Sequence, residues 1–526
     1  MRPALPCILI VVMCGAAAPA AEVDLFVTDT MAEQTVDIRP LGGEPSREAH
    51  LFAAPGEYEP VAFALRPRER LADVMVGAGP LEGPAGTIPA GRVRVRSVEG
   101  FHGGGRDILM DLGRTWHMAA WSKELFWVTV HVPEDAKAGT YRGAVTVTSG
   151  GQAVAALDLV CEVLPLALPE PPWTLGFNYS NPKDPPAMAA HLADMRAHGM
   201  TGVGPLYQFH LPVQDRDASD LAAFLQAYTK AGFTKPVYFA TPMNLTISAL
   251  TGYGPVDSKR FQQKYIEVMR RLWAEARRHE VPVIFSIGDE FTNKGLRGVE
   301  YAGRLARLTF EELPELITTS DMNGYMEVMA MAPYLNIAAI NNGWDGIDHH
   351  NKGRRLVNEA FLTELCEKTG AIPWFVNTGS GRFPFGLFFW KMTTYGVIGK
   401  IEWYYNLRNE KGSLVRTDGG RVWPTLDYER SREGIDDLKY VLALEAAIAE
   451  AKKAGKAADA VAKAEALLAK ISDAIIPNWT AYTQGGERFP EDGFHVTDRA
   501  KAARLGHMGA IRRAVADAAI AIRQAM

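Results

Sequence analysis

Cysteine is scarce in this sequence, with four residues in 526, at positions 7, 14, 161 and 366. The first two fall in an N-terminal leader, which leaves Cys161 and Cys366 far apart and without zinc-site spacing. A disulfide-rich scaffold is therefore excluded; two separately buried thiols are expected, with one long-range disulfide as the alternative. An excess of one charge sign is also missing. The chain carries 56 Lys and Arg against 61 Asp and Glu, a net charge of -5, which gives no footprint for a nucleic acid or a charged membrane surface. Beyond the first twenty residues there is no apolar run of about twenty, so no transmembrane anchor is expected. The α/β part lacks a Gly-rich phosphate loop after its first strand, and no Gly-x-Ser-x-Gly elbow occurs. These two absences argue against a nucleotide cofactor and a serine nucleophile. No cofactor is expected.

What the sequence does contain falls into blocks. Arg2, the apolar stretch Ile8–Met13 and the small residues Ala18-Pro19-Ala20 read as a secretory signal peptide over residues 1–21, implying export to the periplasm or the extracellular space. Residues 22–166 read as an all-β sandwich. Short strand-like runs such as Val61–Leu65, Val93–Val98, Leu125–Val130 and Ala144–Val147 are separated by Gly/Pro turns. The proline-rich stretch Leu164–Pro172 reads as a linker. From 172 to 440, strand and helix patterns alternate. Strands are predicted at Thr174–Tyr179, Gly202–Tyr207, Pro236–Thr241, Val283–Glu290, Ile317–Asp321, Ile337–Asn342, Pro373–Thr378 and Lys400–Tyr405. Amphipathic helices such as Leu221–Gly232, Phe261–Arg278 and Leu356–Lys368 lie between them. Eight such units predict a (β/α)8 TIM-like barrel, with an open doubly wound sheet as the alternative. Residues 441–526 read as a C-terminal helical extension, with Gly455 breaking two helices and a last helix from Ala500.

Barrels place their chemistry at the C-terminal ends of the strands. The fourth strand, Pro282-Val283-Ile284-Phe285-Ser286-Ile287-Gly288-Asp289-Glu290, ends in two adjacent carboxylates. Two neighbouring acids resist ionising together, so one proton is expected to be held near neutral pH, which suits general acid catalysis. The competing reading is a strand-end pair salt-bridged to Arg or Lys. Other strand ends carry Asn178 and Tyr179, Tyr207 and His210, Asn341, Asn342 and Trp344, Asn377, and Trp403 and Tyr404. Amides, hydroxyls and flat apolar rings together suit a sugar, whose C–H faces stack on aromatics and whose hydroxyls need donors and acceptors. Substrate contacts are accordingly expected at Asn178, Tyr207, His210, Asn341, Trp344, Asn377, Trp403 and Tyr404. The Asp345–His350 stretch holds two acids and two histidines but has no matching ligand pair elsewhere, so no metal is expected.

A two-carboxylate glycosidase needs a second acid facing the first. The seventh strand, Ile372-Pro373-Trp374-Phe375-Val376-Asn377-Thr378-Gly379, has none. Glu402 and Asp345 remain as candidate nucleophiles. If instead the substrate's own 2-acetamido oxygen is the nucleophile, one acid and one neighbouring carboxylate suffice.

Three stretches resemble glycoside hydrolase family 123 and its bacterial relatives: Val132-Pro133-Glu134-Asp135-Ala136-Lys137-Ala138-Gly139-Thr140-Tyr141-Arg142-Gly143, Gly288-Asp289-Glu290, and Arg432-Glu433-Gly434-Ile435-Asp436-Asp437-Leu438-Lys439-Tyr440. The resemblance implies a retaining β-N-acetylgalactosaminidase-type hydrolase acting on an amino-sugar glycan, with Glu290 as acid/base and Asp289 stabilising the acetamido group. A two-carboxylate retaining glycosidase and a non-catalytic glycan-binding barrel are the competing expectations.

Overall fold

The structure, a computed structural model, describes residues 22–28, 30, 45–84, 86–100, 107–206, 211–213, 217–240, 242–243, 245–341, 359–407, 412–475 and 508–526. The leader, Tyr207, His210, Asn342, Trp344 and the whole Asp345–His350 stretch lie outside the described residues.

The N-terminal part is all-β. One antiparallel sheet runs in the order Val23–Thr28, Tyr58–Pro67, Glu124–His131, Val93–Glu99, Ile108–Asp111. The second is built on Glu48–Ala53, Gln152–Val163, Gly139–Ser149, Leu71–Ala78 and Trp116–Met118. Between the sheets lies a core that includes Phe63, Phe126, Val128, Val145, Leu157 and Leu159. The strand Glu124–His131 departs from simple alternation because both its faces are covered. Phe126 and Val128 enter the sandwich core, while Trp127 packs with Ala62, Leu109 and Leu426. Leu426 belongs to the long helix after the barrel, so the outer face of this sheet is the seam between the two parts of the molecule. Cys161 is buried in Gln152–Val163, and Cys366 is half-buried far from it; both thiols are free.

The second part is a parallel sheet of eight strands: β1 (Thr174–Ser180), β2 (Gly202–Leu206), β3 (Val237–Phe239), β4 (Val283–Asp289), β5 (Ile317–Met322), β6 (Ile337–Asn341), β7 (Ile372–Val376) and β8 (Gly399–Glu402). Its order is β2-β1-β8-β7-β6-β5-β4-β3. The two edge strands share no ladder among the described residues. They nevertheless lie side by side: a Cβ added to Gly202 would sit 3.5 Å from the carbonyl oxygen of Pro236, just before β3. The barrel is therefore nearly closed. Helices α1 (Pro185–Ala197), α2 (Ser219–Lys230), α3 (Lys259–Ala276), α4 (Gly295–Glu312), α5 (Tyr325–Met331), α6 (Glu359–Thr369), α7 (Arg382–Phe385) and α8 (Leu387–Thr393) surround it. The barrel interior is filled by Leu206, Tyr238, Ile284, Ile337, Ala339, Trp374, Val376 and Ile401. Alternate residues, among them Phe177, Val203, Phe285, Ile340 and Phe375, face the helices. This two-sided burial is why the strands read as continuous apolar runs.

After β8 come α9 (Leu426–Ala454), α10 (Ala458–Ala474) and α11 (Met508–Ala525). Thr425 caps α9 by accepting from the Tyr428 N–H, and Gly455 ends it at φ 66°, a conformation glycine adopts without strain. No described helix is long and apolar enough to cross a membrane.

Two of the three family-like stretches prove to be architecture. In the first, the Tyr141 ring packs against Gly83, where an added Cβ would lie 2.6 Å from it, and the Tyr141 hydroxyl donates to the Lys137 carbonyl at 2.9 Å. The third stretch lies on α9 and feeds a buried ionic network. Arg96 of the sandwich and Arg432 both bind Glu429. Arg512 of α11 reaches Asp437 at 2.6 Å, Glu433 at 3.0 Å and Glu59 of the sandwich at 2.8 Å. Arg382 of α7 shares Asp437, and the Tyr440 hydroxyl donates to Glu57. Burial pushes the Glu429 carboxyl up, but Arg432 and Arg96 outweigh it and hold it well below the usual range. Such a network fixes the position of sandwich, barrel and last helix, because a charge left without its partner there would be strongly destabilising.

Candidate active site

Asp289 closes β4, and its position depends on a one-residue irregularity. Val283, Phe285 and Ile287 face the helices and Ile284 faces the interior. Strict alternation would send Asp289 outward with Phe285 and Ile287. Between Ser286 and Asp289, however, the ladder to β5 slips by one residue, and Asp289 stands level with Asp321. A bulge of this kind breaks the alternation and re-aims the side chain that follows it. The glycine of Gly288-Asp289-Glu290 is required by close packing. A Cβ there would lie 2.2 Å from the Phe291 ring and 2.7 Å from the Ser320 hydroxyl.

Glu290 follows in the left-handed conformation (φ 48°, ψ 45°), its N–H donating to the Asp321 carbonyl at 2.9 Å. Both of its carboxylate oxygens accept from amides. Asn341 donates to Oε1 at 2.7 Å and Asn293 donates to Oε2 at 2.8 Å. Asn377, itself left-handed at φ 55°, donates to Asn341 Oδ1 at 2.8 Å. Glu290, Asn341 and Asn377, singled out separately in the sequence, thus form one hydrogen-bonded line from β4 across to β7. Asp289 lies beside it among further negative charges. Burial, then the negative charges of Glu290 and Glu327, push its carboxyl up to about 7, with Lys294 partly opposing.

Asn178 is buried on the interior-facing side of β1, its Oδ1 without a hydrogen-bond partner, as is Oδ1 of Asn377. Asn178 Oδ1 packs against Gly204, where an added Cβ would lie 2.5 Å from it. Trp403 is 36 % exposed just beyond β8, with the buried Tyr404 ring 4.9 Å away, edge to face. Tyr179 belongs to the helix-facing core instead: it is fully buried, its hydroxyl 3.0 Å from His191 Nδ1. Glu402 also turns away from the interior. Ile401 faces inward, while Lys400 and Glu402 lie on the opposite side of β8, paired at 2.9 Å, with the Lys400 ammonium 4.8 Å from the Phe385 ring centre.

Two acidic residues not singled out in the sequence surround the pair. Asp321, the last residue but one of β5, accepts from the Tyr238 hydroxyl and is pushed up to about 8 by burial and by the charge of Glu327. Its place at a strand end was a readable signal. Glu327, on α5, had no such signal. No group of three or more His, Cys, Asp or Glu side chains that could hold a metal occurs among the described residues.

No protein-family model and no curated protein sequence matches the chain. Among solved structures, a family 123 glycoside hydrolase from Clostridium perfringens, described for glycolipid glycan hydrolysis, matches with a TM-score of 0.63. The match covers 95% of this chain and 99% of that one at 13% identity. A family 39 glycoside hydrolase from Bacteroides cellulosilyticus WH2 matches at a TM-score of 0.38 and 12% identity, over 67% of this chain and 80% of that one. That second match is too loose to carry an argument. The first establishes a shared fold from the sandwich to the last helix.

Proposed function

We propose that this chain is an exported glycoside hydrolase that removes terminal 2-acetamido sugars, of the N-acetylgalactosaminide type, with retention of configuration. The observation that carries the reading is the pairing of Asp289 and Glu290 at the C-terminal end of β4, where the neighbouring described carboxylates are already engaged: Asp321 accepts from the Tyr238 hydroxyl and Glu327 from four donors. Glu402 is tied to Lys400 behind the barrel wall, and β7 has no acid. A direct nucleophile would have to stand about 5 Å from the acid. In the proposed reaction, which starts with Asp289 ionised and the single proton of the pair on Glu290, the acetamido oxygen attacks the anomeric carbon as the glycosidic bond breaks, and Glu290 gives that proton to the departing oxygen. Asp289 accepts from the acetamido N–H and offsets the positive charge that develops on the ring so formed. Water then attacks the same carbon, returns a proton to Glu290, and regenerates the acetamide. Asn341 and Asn293 keep Glu290 aimed, and Asn377 and Trp403 offer an acceptor and a flat face to the sugar.

A panel of aryl glycosides tests this. Turnover is expected for 2-acetamido sugars and not for the corresponding plain hexosides. Turnover of plain hexosides would favour a second carboxylate, with Asp345 or Asp321 as the candidate; silence with measurable glycan binding would favour a lectin-like role.

A further inference from the structure

Glu327 is a carboxylate with an exposure of 0% on the first turn of α5. It accepts four hydrogen bonds: from the N–H of Phe291 at 2.8 Å, the N–H of Thr292 at 3.2 Å, the Thr292 hydroxyl, and the N–H of Asn323 at 3.1 Å. Phe291 and Thr292 open the short helical turn Phe291–Lys294 directly after Glu290, and Asn293 of that turn donates to Glu290. Asn323 follows β5, the strand that stands level with Asp289. Phe291 engages Oε1 and the other three donors converge on Oε2, so both oxygens of the carboxylate are held by donors. No neutral side chain of this size replaces it, since an amide has one acceptor oxygen and would turn its own N–H groups onto backbone N–H.

We propose that Glu327 is a positioning residue of the active site, clamping the turn after Asp289 and Glu290 to the end of β5 so that the two carboxylates keep their geometry. The inference rests on the reading of the site given above. Glu327 also acts at a distance. The charged groups that bear on Asp289 are Glu290 and Glu327, which push its carboxyl up after burial, and Lys294, which pulls it down. Lys294 sits in the clamped turn, its ammonium 5.6 Å from the Phe291 ring centre. Glu327 bears in the same way on Asp321, whose partner is Tyr238. The charge of Glu327 thus acts on Asp289 separately from the clamp, and the two effects can be read apart.

The test uses Glu327→Gln and Glu327→Asp in the full chain, with two readouts. On aryl 2-acetamido glycosides, Glu327→Gln is expected to lower kcat about 10²-fold, the scale of a small misplacement of reacting groups, with KM nearly unchanged. Because the reaction needs Asp289 ionised, removing the Glu327 charge should also move the acidic limb of the pH–rate profile to lower pH. Glu327→Asp keeps the charge but draws back from the turn; kcat should fall while the limb stays in place. Carboxyl-carbon NMR of aspartate-labelled protein, with the Asp289 signal assigned by its loss in Asp289→Asn, reads the same shift without catalysis. Wild-type kcat in Glu327→Asp, or an Asp289 titration midpoint unmoved in Glu327→Gln, would overturn the proposal. An inactive wild type whose Asp289 midpoint falls in Glu327→Gln would instead overturn the assigned reaction and leave the positioning role standing.

Discussion

Glu290→Gln should lower the hydrolysis of natural glycosides by about 10²–10⁴-fold, the usual contribution of general acid catalysis. It should largely spare substrates whose leaving group needs no proton, such as dinitrophenyl 2-acetamido glycosides. Glutamine nearly preserves the shape and can still accept from Asn341, so the loss reports chemistry rather than collapse of the turn. The check is kcat/KM for methylumbelliferyl and dinitrophenyl glycosides side by side. A Glu290→Gln enzyme equally slow on both would remove Glu290 from the role of acid.

Asp289→Asn should behave differently, slowing good and poor leaving groups alike. Asp289 acts on the attacking acetamido group itself, whatever the leaving group, and losing one preorganised electrostatic contact in such a step costs about 10²–10³-fold. The same substitution should stabilise the fold, and the pH dependence fixes the sign. In the folded chain Asp289 titrates at about 7, against about 4 when unfolded. The folded protein therefore keeps a proton that the unfolded chain releases, and this contribution to stability is full below pH ~4 and lost as pH rises through ~7. Asparagine cannot ionise and escapes that loss. Tm measured at pH 5 and pH 8 should show Asp289→Asn gaining on the wild type at the higher pH; an equal difference at both would contradict the buried, charge-repelled environment. Loss of activity with gain of stability is the expected signature of a carboxylate held for function.

The eight barrel strands were legible because each is buried on both faces and reads as a short apolar run, Ile284–Phe285 and Trp374–Phe375 among them. Gly455 announced the break between α9 and α10 because a glycine takes the left-handed conformation that ends a helix. The slip between Ser286 and Asp289 was not legible: one extra residue in a strand changes which way a side chain points without changing composition. Glu327 was hidden because a glutamate on a short helix ordinarily faces water, and only the fold brings Phe291, Thr292 and Asn323 to it. Glu402 was misleading, although spacing held the answer. Lys400 and Glu402 flank Ile401, and when the middle residue fills the barrel its neighbours face the helices. Asn341 and Asn377 were read as sugar contacts; the structure places them first as the support of Glu290, a relation between β4, β6 and β7 that spacing along the chain does not encode. The Arg432–Tyr440 stretch carried a family likeness, and the buried ion pairs of α9 give it a physical reason independent of catalysis.

The central claim is that the substrate's acetamido oxygen is the nucleophile. It is tested most directly by aryl glycosides carrying acetamido, fluoroacetamido, difluoroacetamido and trifluoroacetamido groups at C2. Each fluorine withdraws electron density from the carbonyl oxygen while changing its size little. Wild-type kcat/KM should fall steeply and monotonically along the series; a flat dependence would require a carboxylate nucleophile from the protein instead.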